Sequence, residues 1–194
     1  MMASRNEVVG VGSILLVPWA KTSWSEAGRF SGRAPLPLSD AGRMQAEAWS
    51  DKLATTTIKA VYSSNEQAGI ETARNIAERC NVRHRIVEEL AEMNTGLWAG
   101  LTDQELKRRY AKVFKKWWSD PTSAAPPDGE AAVDALERLR DAVNEVTQKQ
   151  AGKSFVVVLG PLAFGLVRCM MESAELEKLR SMMQAEPLKY QLVE

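Results

Sequence analysis

Histidine is nearly missing from this chain: His84 is the only one among 194 residues. Cysteine is scarce as well, with Cys80 and Cys169 alone. No His/Cys set has metal-ligand spacing, so a His-rich metal site is excluded and no cofactor is expected. Both thiols sit in apolar helical contexts and read as reduced and buried; nothing supports a disulfide between them. Net charge is absent too, since 25 Lys and Arg are balanced by 25 Asp and Glu. Such a chain carries no broad electrostatic footprint for nucleic acid or an anionic membrane, so neither is expected as a partner. A local basic patch remains compatible with that balance. The apolar run Val8–Val17, behind Arg5, is too short to cross a bilayer. With no convincing small-residue cleavage site, it reads as a buried strand rather than a targeting segment. A cytoplasmic location is therefore expected.

What is present is ordinary for a soluble globular protein: 45% apolar and 26% charged residues. The length suits one domain, taken as 1–194, with a substantial core. Ser13–Val17 and Phe155–Leu159 are continuous branched-apolar runs, as in strands covered on both faces. Shorter strands are expected at Ile58–Tyr62 and Arg83–Val87, and an edge strand at Lys189–Val193. Gly42, Ala46, Trp49 and Leu53 recur at helical spacing, as do Ile70, Ala73, Ala77 and Cys80. Thr102 to Glu105 reads as a capping box, with Leu106, Tyr110, Val113 and Trp117 as the buried face behind it. A Pro-rich loop over Pro121–Gly129 precedes a long helix carrying Ala132, Leu136, Leu139, Val143 and Val146. Pro161 fits the first position of a nearly all-apolar helix, Leu162–Met171. A last helix is expected near Glu175–Gln184. Alternating strands and helices predict an α/β three-layer sandwich with a mostly parallel central sheet. In such folds the site lies beyond the carboxyl ends of the strands.

The segments at those strand ends carry an ordered set of motifs. After the first strand come Pro18-Trp19-Ala20-Lys21-Thr22, Trp24-Ser25, Gly28-Arg29, Ser31-Gly32, Pro37-Leu38-Ser39, Gly42 and Gln45-Ala46. After the second come Ser63-Ser64, Ala68-Gly69 and Glu71-Thr72-Ala73. Leu90-Ala91-Glu92, Gly96-Leu97-Trp98-Ala99-Gly100, Gly129-Glu130-Ala131 and Leu159-Gly160-Pro161 follow. In order and spacing this resembles the histidine phosphatase (phosphoglycerate mutase-like) superfamily over most of the chain.

The resemblance implies a mechanism in which a histidine becomes phosphohistidine. Two arginines and a second histidine hold the phosphoryl oxygens, and a carboxylate protonates the leaving group. Matched position by position, Trp19 stands at the nucleophile, Pro18 and Ala68 at the arginines and Gly160 at the second histidine. Only Glu92, at the general acid, matches. An indole nitrogen donates a hydrogen bond and cannot attack phosphorus. A phosphate facing an ionised Glu92 would be repelled by roughly 4 kcal/mol at about 4 Å and an effective dielectric near 20. Lys21, Arg29 or Arg33 turning inward would offset this. His84 matches no catalytic position.

The expectation is therefore a histidine phosphatase-like protein without phosphohistidine chemistry, a pseudoenzyme that binds a protein partner or small ligand. The candidate pocket is Trp19, Lys21, Ser25, Arg29, Ser63, Glu92 and Leu159. One alternative is an enzyme with different chemistry in the same cleft, with Glu92 as acid or base. Another is a structural subunit of an oligomer, a homodimer included. Bland roles stand beside these. Trp19 fills a hole, Glu92 caps a loop by accepting backbone N–H bonds, and Ser25 is a loop hydroxyl. Trp98 and Gly100 are structural. Phe114 and Trp117 belong to the core, and Trp118, if exposed, is a partner contact.

Overall fold

The computed structural model describes residues 12–150, 152–183 and 186–192. Within the segments read from the sequence as strands and helices, positions 8–11, 184 and 193 lie outside the described residues. The first strand, β1 (Ser13–Pro18), is buried along its whole length. A single turn, α1 (Ser23–Glu26), precedes α2 (Asp40–Leu53), β2 (Ala60–Ser63), α3 (Gln67–Arg79) and β3 (Arg83–Ile86). Next come α4 (Asp103–Arg109), α5 (Ala111–Ser119), α6 (Ala132–Gln150), β4 (Phe155–Leu159), α7 (Pro161–Met171), α8 (Leu179–Met182) and β5 (Leu188–Gln191).

The strands form one five-stranded sheet in the order β3-β2-β4-β1-β5. β1, β2, β3 and β4 pair in parallel, and β5 closes the edge antiparallel to β1. Register sets Val17 beside Val158 and Pro18 beside Leu159. Alternation along each strand divides the core between the two faces. Leu15, Val17, Val61, Val156 and Val158 pack with Ala46, Trp49, Ala73 and Ile76 from α2 and α3. Ile14, Leu16, Tyr62, Phe155, Val157 and Leu159 pack with α6, α7 and the aromatic side chains of α5. This is the expected three-layer α/β sandwich with a mostly parallel sheet.

Several local expectations shift. In α3 the fully buried positions are Ala68, Gly69, Thr72, Ala73, Ile76 and Ala77, while Ile70 and Cys80 are half-buried. The Thr102 capping box forms as read, with Thr102 and Glu105 bonding each other's backbone N–H. The helix it opens, however, ends at Tyr110, whose φ of −129° breaks the helical path. That break rotates the next helix, so Phe114 and Trp117 are buried and Val113 is 37% exposed. The buried face drawn through Val113 is therefore wrong by one position. The last helix shortens to a 3₁₀ turn (Leu176–Lys178) followed by α8.

Edge-to-face ring pairs knit α5 to the loop after α1. Trp98 meets Phe114 and Trp117 at 5.3 and 5.5 Å, and Phe30 meets Trp98 at 6.2 Å. On the other side of the sheet, α2 presses against the segment after β1. A Cβ at Gly42 would lie 1.9 Å from the Lys21 carbonyl oxygen, so only glycine fits there.

Candidate functional site

The carboxyl ends of β1 and β4 meet at Pro18 and Leu159. The Trp19 N–H donates to the Leu159 carbonyl at 2.8 Å, extending the pairing by one residue. Ala20 N–H then donates to Thr72 Oγ1 at 3.0 Å, which fastens the segment to α3. The Trp19 side chain is held between α3 and the start of α7 and is 6% exposed. A Cβ at Gly69 would lie 3.7 Å from its Cε3, and a Cβ at Gly160 would lie 2.8 Å from its Cη2. The indole thus fills the space at the strand ends. Its Nε1 is buried without a hydrogen-bond partner among the described residues, as are Ser64 Oγ and Glu66 Oε2.

Glu92 is the centre of the polar structure here and is 1% exposed. Its Oε1 accepts from Met93 N at 2.6 Å and Ala163 N at 2.8 Å, and its Oε2 accepts from Leu162 N at 2.8 Å. Gly160, the N-cap of α7, has no side chain to offer the first turn. Glu92 supplies that cap from another segment, satisfying free N–H groups at the positive end of the helix. A Cβ at Gly160 would meet Glu92 Oε2 at 2.5 Å, so the absence of a side chain there makes room for the carboxylate. Burial pushes the Glu92 pKa up to about 7; its three backbone N–H bonds pull it down, and nearby Glu66 pushes it up. Glu92 N–H donates to Glu66 Oε1 at 3.0 Å, and Arg33 Nε donates to the Glu92 carbonyl at 2.8 Å.

A second polar cluster holds this loop from outside. Glu130 takes a two-point contact from Arg138 at 3.0 Å each, one from Arg33 at 3.1 Å and one from Asn94 N at 3.1 Å. Arg138 also donates to the carbonyls of Glu89 and Ala91. Burial alone would raise the Glu130 pKa, but the Arg138 and Asn94 bonds and the Arg33 charge hold it below the ordinary carboxylate range.

Beside Glu92 opens a cleft of about 320 Å³. Its walls are the turn over residues 28–32, Ser25, Asp103, Trp118, Pro161, Leu162, Arg180 and Met183, with Glu92 at its base. Arg29 is anchored to the Gly100 carbonyl at 2.5 Å and to Glu105 at 3.0 Å. Arg180 pairs with Asp103, and its guanidinium carbon lies 4.7 Å from the centre of the Trp118 ring.

Of the pocket residues expected from sequence, Ser25, Arg29 and Glu92 line this cleft. Trp19 and Leu159 are buried outside its lining. Lys21 is exposed and turns to α2, its N–H donating to Gln45 Oε1 and its carbonyl accepting from Ser39 N. Ser25 Oγ is used locally, in the capping box with Thr22. Ser63 is fully buried, and its hydroxyl donates to the Ser64 carbonyl at 2.8 Å. His84 Nε2 lies 2.8 Å from the same hydroxyl, which is fully buried and lies outside the lining of the cleft. Burial, and then Arg74, lower the His84 pKa. Arg33 turns inward, but to a backbone carbonyl and Glu130. Sequence reasoning missed Glu66, Glu130 and Arg138 as the frame of the Glu92 loop. Gly129-Glu130 was visible as a motif, whereas Glu66 and Arg138 carry no local signal.

Among the described residues no group of three or more His, Cys, Asp or Glu is placed to hold a metal, and both cysteines are free. Also among them, no helix is long and apolar enough to cross a membrane.

The same architecture occurs in the solved structure of Bacillus stearothermophilus YhfR. That protein superposes with a TM-score of 0.81 at 24% identity, covering 88% of this chain and 84% of its own. The sequence model of the histidine phosphatase superfamily (branch 1) matches residues 14–194, and the chain belongs to that family. Phosphoserine phosphatase 1 of Hydrogenobacter thermophilus is 26% identical, over 85% of this chain and 78% of its own length. The metal-independent phosphoserine phosphatase of Arabidopsis thaliana is 30% identical, over 76% and 63%. These relatives correct the functional expectation. A pseudoenzyme acting by binding, with its alternatives of unrelated chemistry or a purely structural subunit, is contradicted by similarity to proteins named as phosphatases. That expectation rested on four side chains and gave no weight to the rest of the fold's inheritance.

Proposed function

We propose that this protein is a phosphatase of small phosphorylated metabolites, with the cleft beside Glu92 as its substrate site. The observation that carries the proposal is the similarity, over 85% and 76% of this chain, to two proteins named as phosphoserine phosphatases. The cleft supports it chemically. Arg29 and Arg180 bring guanidinium donors to its wall, suited to phosphoryl oxygens. Glu92, with a pKa of about 7, holds a proton near neutral pH that a leaving alkoxide can take. Trp19 offers no nitrogen lone pair, so water is the attacking group in this reading. Water adds to phosphorus, the ester P–O bond breaks and the leaving oxygen takes the Glu92 proton; one proton of water stays on the phosphate and the other, through solvent, reprotonates Glu92. A cytoplasmic location belongs to the same proposal and is in keeping with the free thiols.

The test is release of inorganic phosphate from phosphoserine, p-nitrophenyl phosphate and a panel of sugar phosphates. Turnover by the native chain, reduced at least about tenfold in Glu92→Gln and with KM raised in Arg29→Ala, is the expected result. No release from any ester, or release unaffected by Glu92→Gln, overturns it.

A further inference from the structure

Charge is balanced over the chain but not over its surface. Lys107, Arg108, Arg109, Lys112, Lys115 and Lys116 fall within one stretch of α4 and α5, and all are exposed. None of them belongs to an ion pair among the described residues. The acidic residues of α4 offset them little, because Asp103 pairs with Arg180 and Glu105 with Arg29, and of the six cations only Arg109 also feels the Glu105 charge. Unpaired like charges set this close repel one another, and an anionic partner relieves that repulsion.

Between these cations lies a groove of about 410 Å³, lined by Lys107, Ala111, Phe114, Lys115, Trp118 and Arg180. Its floor is apolar and aromatic and its rim is cationic. Trp118 is half-buried, and its Nε1 is enclosed without a partner among the described residues. Ring contacts to Phe114 at 6.2 Å and Trp117 at 4.6 Å hold it in place, and Arg180 covers one ring face. The groove is therefore preformed rather than a gap that a rotamer change would close.

We propose that α4 and α5 form a docking surface for an acidic protein segment bearing an apolar side chain. The apolar side chain enters the groove against Phe114 and Trp118, and flanking Asp and Glu residues meet the lysines and arginines at its rim. A nucleic-acid duplex would satisfy the cations but bring nothing apolar to the floor, and a single-stranded base has no open ring face to stack on, since Phe114 is 1% exposed and Arg180 covers one face of Trp118. A bilayer would need an exposed apolar helix face. On α5, Phe114 and Trp117 are buried, and the exposed apolar side chains are the small Ala111 and Val113, the latter at 37%. The groove shares Trp118 and Arg180 with the cleft beside Glu92, but its cationic rim of Lys107 and Lys115 lies outside that cleft, so peptide binding and phosphate release test the two readings separately.

The experiment is fluorescence anisotropy with a labelled peptide of Asp and Glu around a central Leu, titrated with the full chain. Lys107→Glu/Lys115→Glu, both exposed and outside the core, is the principal variant. Lys52→Glu on α2 is the control, and circular dichroism confirms that each variant is folded. Saturable binding that weakens about tenfold or more in the double variant, is unchanged in the control and falls at about 0.5 M salt is expected. Replacing the central Leu with Glu should weaken binding to the native chain and leave binding to Trp118→Ala unaffected. Equal binding by the double variant, no binding, or tighter binding to a single-stranded oligonucleotide or to phosphatidylserine vesicles overturns the proposal.

Discussion

Glu92 makes the stability of this protein depend on pH in a direction opposite to that of most carboxylates. Its pKa rises from an ordinary 4.5 to about 7 on folding, chiefly because burial penalises the charged form. A carboxyl whose folded pKa is raised stabilises the native state while it stays protonated. That contribution is fully present below about pH 4.5 and is lost as pH rises through about 7. At ~1.4 kcal/mol for each unit of pKa difference, the loss comes to roughly 3 kcal/mol, a large part of the stability of a domain this size. Glu92→Gln removes the titration and keeps the side-chain shape. Urea unfolding, followed by tryptophan fluorescence between pH 5 and pH 8, should therefore show the native protein losing about 2.5 kcal/mol relative to Glu92→Gln as pH rises, the rest having been lost below pH 5. Groups common to both proteins cancel in that difference. Parallel pH curves, or a native chain that gains on the variant toward pH 8, would refute the assignment of the raised pKa to Glu92.

Three further outcomes follow from the same geometry. Gly160→Ala puts a methyl against Glu92 and Trp19 and should destabilise the fold by about 1–3 kcal/mol in thermal unfolding, with only part of the loss recovered in a Trp19→Leu background because the closer contact to Glu92 remains. Thr102→Ala removes half of the capping box at α4 and should cost about 1 kcal/mol in the same assay. Glu130→Gln leaves Arg33 and Arg138 without their shared carboxylate and should destabilise by about 1–3 kcal/mol near pH 7. Because the Glu130 pKa is lowered in the folded state, its stabilisation is present above the ordinary glutamate pKa and is lost as pH falls. The gap between native and variant proteins should then narrow toward pH 3.

The local and the repetitive were legible in the sequence. The branched-apolar runs of β1 and β4, the capping box at Thr102, Pro161 at the head of α7 and the order of motifs at strand ends all depend on neighbours along the chain. They therefore gave the α/β layering and the family correctly. The break at Tyr110 was not legible, because a helical pattern continues through it and only the ring cluster of Phe30, Trp98 and Phe114 rewards the rotation. Nor was the fate of Lys21, which faces α2 because Gly42 lets the two backbones touch. The role of Glu92 lies at the boundary. Its position was readable from a three-residue motif. That its carboxylate caps α7 depends on Leu162 and Ala163, about 70 residues away, and on a glycine that leaves room for it. The identities of the side chains at the motif positions belong to the sequence alone. Which of them face solvent, which face one another and which close the space at the strand ends was decided only when the sheet brought distant segments together. Burial and hydrogen-bond direction belong to that assembly and to no single stretch of chain.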